Sequence, residues 1–244
     1  MANLNVAVLN ICGGAGKSTF AKHCLAPQMP NATRVCIEDW NSGDGKGDLD
    51  ISAKRFYQLA AQMNADTSQS FLLDIGTSNS KLMMKHFADL EFTREQIDSW
   101  VIPVRTGAKD RLDTLRTVAM LLEMGVRPAS IMVVPQAVAD VDMFDLEFAE
   151  LKAAVEKLGV YFSKQSVLFN EVFDMLKGSD KNVFQVAQEH PNPRELRARL
   201  GDDEAALLAL GQELLVVSLA RTACANLLSV YKSLPFQATE KALA

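Results

Sequence analysis

The segment Gly13-Gly14-Ala15-Gly16-Lys17-Ser18-Thr19 constrains this chain more than any other. It follows at once on the apolar run Asn5–Asn10, with Ile11 and Cys12 between, and leads into Phe20-Ala21-Lys22-His23. Such an order describes a strand, an anion-cradling loop and a helix start. Glycines let the backbone come close enough for several N–H groups to converge on one phosphate. The helix adds the positive end of its dipole to the same anion. Lys17 is then placed to meet the β- and γ-phosphates of a nucleoside triphosphate as a point charge, and Ser18 to set its hydroxyl on Mg²⁺. Gly13, Gly14, Ala15, Gly16, Lys17, Ser18 and Thr19 are the expected phosphate-binding residues. The general pattern G-x-x-x-x-G-K-[ST] has its first glycine where Ile11 stands here.

Short apolar runs recur after this one. Arg34–Glu38, Ser70–Asp74, Trp100–Val104, Ser130–Pro135 and the weaker Gly159–Phe162 have the composition of buried parallel strands. Between them the apolar spacing predicts helices over Ser18–Leu25, Ser52–Asn64, Asn79–Leu90, Ala108–Met124 and Asp142–Leu158. Gly125 and Gly159 follow the last two as C-terminal caps. From Asn170 onward the pattern is helical. Strands alternating with helices imply an α/β fold: a doubly wound, mostly parallel sheet flanked by helices, with a helical C-terminal part. Ligands of such sheets bind outside the carboxyl ends of the strands, so the loops after Asn10, Glu38, Asp74, Val104 and Pro135 should surround one crevice. With no internal repeat or linker, one nucleotide-binding domain over residues 1–244 is the simplest organisation.

Hydrophobic residues form 48% of the chain and charged residues 23%, which excludes disorder as the default. A net charge of −5 argues against general nucleic-acid binding, leaving room only for a local basic patch. Cys12, Cys24, Cys36 and Cys224 have no zinc spacing, and no secretory h-region follows Met1, so a reducing, cytoplasmic setting with free thiols is expected. The most apolar stretch, Ala205–Tyr231, is interrupted by Gln212, Glu213, Arg221 and Asn226. It is expected to be a buried helix rather than a membrane span.

The loop Cys12-Gly13-Gly14-Ala15-Gly16-Lys17-Ser18-Thr19 resembles the deviant Walker A loop, K-G-G-x-G-K-[ST], of the ParA/MinD family of P-loop ATPases. Within that family the chain looks like the StbB-type plasmid stability proteins. That likeness is carried by Leu4-Asn5-Val6-Ala7-Val8-Leu9-Asn10, by Gly16-Lys17-Ser18-Thr19-Phe20-Ala21-Lys22-His23-Cys24-Leu25-Ala26-Pro27 and by Phe71-Leu72-Leu73-Asp74-Ile75-Gly76-Thr77-Ser78-Asn79. It covers the chain to about residue 175. The resemblance implies an ATP- or ADP-binding, Mg²⁺-dependent switch. It implies a homodimer, a plasmid-encoded DNA-binding adaptor as partner, at most weak or indirect DNA contact, no membrane, and a role in plasmid partition or stability tied to conjugative transfer. The family's extra lysine, which reaches across a sandwich dimer to the partner's phosphates, is replaced by Cys12. Slow or absent hydrolysis follows, a weak ATPase at most.

Asp74 ends an apolar run and suits a Walker B carboxylate that holds Mg²⁺ through water. Gly76 beside it would let the backbone approach a γ-phosphate. In the resembled family a D-x-D lies at the end of the second strand, and its second aspartate positions the attacking water. Glu38 matches the first aspartate and Trp40 falls at the second, which leaves Asp39 as the tentative catalytic partner of Lys17. Asn41 and Asp44 are further candidates for water or Mg²⁺ contacts. Gln136 stands where the family often has an adenine-reading asparagine, and its amide offers both a donor and an acceptor.

The remaining polar residues read more plainly. His23 and His86 are expected at a helix surface or core edge and His190 in a loop, with no metal-ligand spacing among them. A helix N-terminal anion site can lower a thiol's pKa, so Cys12 could titrate low. Its reading is nonetheless a replaced lysine rather than a redox switch. Arg194, Arg197 and Arg199 form a cluster diluted by Glu195, Asp202 and Asp203, which suits a solvated face. Arg105 and Lys109, after the fourth run, are the cations that an ATP-dependent small-molecule ligase or kinase of the same fold would use. That is the alternative reading.

Overall fold

The structure is a computed structural model that describes residues 4–38, 49–66, 68–200 and 203–236. Seven strands form one sheet: β1 (Val6–Val8), β2 (Ala32–Ile37), β3 (Leu49–Ile51), β4 (Ser70–Ile75), β5 (Ser99–Val104), β6 (Ile131–Pro135) and β7 (Tyr161–Phe162). Their order is β3-β2-β4-β1-β5-β6-β7, and every pairing is parallel. The α/β class and each of the six expected strands are present. β3 is the strand that sequence reading missed. It is only Leu-Asp-Ile, mostly exposed at the sheet edge, and carries no long apolar run to announce it.

β1 lies at the centre, with Val8 opposite both Asp74 of β4 and Val101 of β5. The chain first builds outward from β1 on one side and then crosses over it to build β5–β7 on the other. The carboxyl end of β1 is therefore the switch point where a crevice opens. Central strands rich in Val, Ile and Leu are fully buried on both faces, as parallel strands covered by helices must be.

One face of the sheet is covered by α2 (Phe56–Ala65), α3 (Thr77–Asp89), α5 (Ala108–Glu123) and α6 (Phe144–Lys157), packed through Phe56, Met83, Phe87, Leu121 and Phe148 around Trp100. α4 (Glu91–Glu95) sits beside α2 and α3. The other face carries α1 (Lys17–Phe20), α7 (Val172–Met175), α8 (Val183–Ala187) and α10 (Glu204–Ser233), with α9 (Pro193–Leu200) resting on α10. Gly125 and Gly159 take positive φ of 84° and 75° after α5 and α6, the left-handed caps that only glycine adopts without strain.

Two helices depart from expectation. The first helix continues past Phe20 as a π-helical turn over Ala21–Leu25, a wider winding that often accompanies functional sites. α10 is long and apolar enough, by length and composition, to cross a membrane, and 28% of its apolar window is buried. It is thus packed along one stripe, Leu210, Val217, Ala220, Ala223, Leu227 and Val230, rather than buried throughout. Leu208 and Leu215 face outward.

Candidate functional site

Gly14 and Gly16 adopt φ of 72° and 85°, so the backbone between β1 and α1 turns through left-handed conformations that a side chain would strain. Gly16 caps α1, and its carbonyl accepts from the Phe20 N–H at 2.8 Å. A single buried residue organises the entry to this turn. Asn10 receives the Cys12 N–H at 2.9 Å and the Thr117 hydroxyl at 3.2 Å on Oδ1. Its Nδ2 donates to the Pro103 carbonyl and to Thr114 Oγ1, both at 2.9 Å. The Ser80 hydroxyl donates to its carbonyl. Loop, β5, α3 and α5 are therefore bound to one residue, α3 through its main-chain carbonyl and the others through its side chain.

Lys17 is 6% exposed and its ammonium lies inside the turn, donating to the Cys12 carbonyl at 2.9 Å and to Thr77 Oγ1 at 2.6 Å. Burial lowers its pKa, against the opposing pull of Asp74, Cys12 and Glu38. Ser18 Oγ donates to Asp74 Oδ1 at 3.2 Å, which brings together the two residues assigned to Mg²⁺. Asp74 also faces the Arg34 guanidinium at 3.4 Å. Burial pushes the Asp74 carboxyl up, while Arg34, Ser18 and Lys17 pull it down. Among the described residues no three His, Cys, Asp or Glu side chains form a metal cluster. A hydroxyl, one carboxylate and the ligand's own phosphates are what Mg²⁺ commonly uses, so this donor set fits it.

The turn opens into a cleft of about 360 Å³ bordered by Gly14 to Thr19, Glu38, Thr77, Arg105 and Gln136. Its far wall comes from Phe169, Phe173 and neighbouring residues around α7. Described residues that follow β1, β2, β4, β5 and β6 do converge there, Glu38 standing for the connection after β2. Gln136 is buried with its side chain against Gly16, so its amide stands beside the phosphate turn. Gly76 is approached not by an open space but by Glu38: a Cβ there would lie 2.4 Å from Glu38 Cγ. Gly13 is exposed and would meet only Thr77. Asp39, Asn41 and Asp44 lie outside the described residues.

Three expectations need correction. The Cys12 thiol does not titrate low. Burial, then its hydrogen bond to Asp110 Oδ1 at 2.9 Å and that residue's charge, push it up to about 11. His23 is not at a surface. It is 3% exposed, its Nδ1 accepts the Val183 N–H at 3.1 Å, and burial holds its pKa down at about 3. Lys109 is absorbed by Asp113 at 2.8 Å, whereas Arg105 is exposed on the cleft. Sequence reading also missed Asn10, Thr77, Arg34 and Asp110. Arg34 alone carried a signal, a cation within a strand otherwise fit for burial, which demands a carboxylate partner.

Fold and loop together define an α/β protein of the P-loop type. No protein-family model matches the chain, and no curated protein does. Solved structures are similar to it at low identity. The MinD cell division protein of Aquifex aeolicus matches with a TM-score of 0.51 at 12% identity, over 87% of this chain and 96% of that one. Apo McdA of Cyanothece matches with a TM-score of 0.49 at 13% identity, over 86% of this chain and 99% of that one. At such identities what is shared is the fold.

Proposed function

We propose that the whole chain is one ATP- and Mg²⁺-binding domain, a cytoplasmic ParA-like switch acting in plasmid stability or partition and tied to conjugative transfer. The observation that carries the reading is the Gly14–Gly16 turn wrapped around a buried Lys17 at the mouth of a 360 Å³ cleft. A lysine is held at the desolvation penalty its lowered pKa records only where an anion or a dense set of acceptors meets it. A triphosphate would take the main-chain N–H groups of residues 13–19 and the Lys17 ammonium. Mg²⁺ would take the Ser18 hydroxyl and, through water, Asp74, supplying charge neutralisation between the phosphates. Gln136 would meet the ligand beside Gly16.

Hydrolysis is slow or absent in this reading. Cys12 spends its thiol on Asp110 within the same chain and offers no cation to a partner's phosphates. Nucleotide binding would instead order Glu38 and Thr77, which border the cleft, and present a surface to a second copy and to a DNA-binding adaptor. The ligase or kinase reading rests on Arg105, an exposed cation on the same cleft that suits a small anionic substrate.

Isothermal titration with ATP and Mg²⁺ on the wild-type chain and on Lys17→Ala tests the first reading. Saturable heat in the wild type and its loss in the variant are expected. Equal heats in both would overturn it. Stabilisation by a small carboxylic acid only when ATP is present would favour the second reading.

A further inference from the structure

The helical layer formed by α2, α3, α5 and α6 ends in two surfaces of opposite character. At one end lies the turn Ala53–Arg55 that leads into α2, and it packs against α3. Lys54 and Arg55 project from the turn, Lys81 and Lys85 from successive turns of α3, and all four are exposed. None of them forms an ion pair among the described residues. Tyr57, half-exposed, lies between the two elements, its hydroxyl 3.1 Å from His86 Nδ1 on the inner side of α3. Leu82 is exposed between the two lysines. Asp50 before the turn and Asp89 one turn beyond Lys85 are exposed as well, so four cations stand against two carboxylates, and in a chain of net charge −5 this face is basic on balance with an apolar centre.

At the other end, over β7, the segment before α6 and its first turn carry Asp140, Asp142 and Asp145, all exposed. Between them stand Val141, Met143 and Leu146, the last 70% exposed. Residues 138–151 hold no Lys or Arg. Among the described residues the cation paired with this face is Lys152, 3.9 Å from Asp145 and partly exposed. This face is acidic with an apolar centre. A large apolar side chain in water is unremarkable singly, but three within six residues amid carboxylates are not scattered.

The two surfaces cannot meet within one molecule. Neighbouring strands lie about 4.8 Å apart, so the edges of a seven-stranded sheet are roughly 29 Å from each other. They complement each other in charge, and each offers apolar area that the other could cover. A phosphate backbone would satisfy the lysines but leave Leu82 and Tyr57 uncovered, whereas an acidic face with Val141, Met143 and Leu146 meets both demands. We propose that the acidic end of one copy docks on the basic end of the next, so that chains associate head to tail through the α2/α3 and α6 ends of the layer. Such a contact is heterologous. It does not close on itself unless the rotation between copies happens to make a ring, and it grows open assemblies. It leaves the phosphate turn of each copy free, and it does not depend on the nucleotide reading.

Sedimentation of the full chain without nucleotide, over a wide concentration range, tests this. At about 0.05 M salt the mean mass should climb with concentration past two chains of 26.7 kDa. At about 0.5 M it should fall back, because the Debye length shrinks about threefold. Lys81→Glu with Lys85→Glu should hold the chain at 26.7 kDa, and so should Asp142→Lys with Asp145→Lys. Adding Lys54→Glu, Arg55→Glu and Asp140→Lys to those four in one chain exchanges the charges of the two faces and should restore the climb. These side chains are exposed, and unchanged melting temperatures would confirm that the variants fold. The proposal is overturned if the wild type stays at one chain throughout, if the mass levels off at two chains and ignores the variants, or if the charge-exchanged chain fails to associate.

Discussion

The Lys17 ammonium and the Thr77 hydroxyl lie 2.6 Å apart, joining the phosphate turn to the first residue of α3. That bond links the loop after β1 to the loop after β4. In the proposed reading, α3 would sense whether the lysine faces its own loop or a ligand. Thr77→Val removes the partner while keeping the shape. It should weaken ATP affinity about tenfold, the order of one hydrogen bond to a charged group. Lys17→Met should abolish binding yet raise the stability of the ligand-free chain by about 1 kcal/mol, since a buried charge is replaced by an apolar stem. Titration calorimetry and urea unfolding on the same samples separate the two effects. A less stable Lys17→Met chain would show that the lysine's bonds outweigh its desolvation.

Gly76 is close-packed by Glu38. Its φ of −61° is open to any residue, so only contact forbids a side chain there. Gly76→Ala should cost about 1–3 kcal/mol of stability. Glu38→Ala in the same chain should return most of that loss. Strict additivity of the two substitutions in urea unfolding would mean that the contact carries no strain.

His23 supplies a pH dependence of defined sign. Burial first, then the charges of Lys22 and Arg34, hold its folded pKa at about 3 against an ordinary 6.5. Between those values the unfolded chain binds the proton and the folded chain does not. Stability from this group is therefore complete above 6.5 and declines as pH falls toward about 3. The slope is at most about 1.4 kcal/mol per pH unit, so about 2 kcal/mol should disappear between pH ~7 and pH ~5. His23→Asn can still accept the Val183 N–H and has no proton to gain. Its urea midpoint should fall less over that range, and a wild-type pH profile in the variant would contradict the assignment.

Thiol labelling distinguishes the four cysteines. Burial raises the pKa of all four, but Cys12, Cys24 and Cys36 are buried whereas Cys224 is partly exposed. Under native conditions Cys224 should react first with an aromatic disulfide reagent. In a Cys224→Ser background, Asp110→Ala should speed labelling of Cys12 by up to about tenfold, because it removes both the bond and the charge that raise that thiol. Unchanged labelling would leave burial as the whole cause.

Local patterns made much of this protein legible from its residues. Runs such as Val6-Ala7-Val8 and Ile131-Met132-Val133-Val134 can only be strands covered on both faces. Glycines at 125 and 159 end their helices because the left-handed cap excludes a Cβ. The glycine turn after β1 was legible for the same reason: its backbone geometry is set within seven neighbouring residues. What the chain brings together from afar was not. Asn10 and Thr117, Arg34 and Asp74, and Cys12 and Asp110 meet only when β1, β2, β4 and α5 are placed side by side. A titrating group also takes its value from what surrounds it. Cys12 and His23 therefore moved in directions set first by burial, which their neighbours in sequence do not reveal. Sequence alone determined six of the seven strands, the glycine turn and their periodicity, since these depend on backbone geometry and on nearest neighbours. The tertiary structure alone decided burial, partners and the opposed faces of the helical layer, since those depend on distances between residues far apart along the chain.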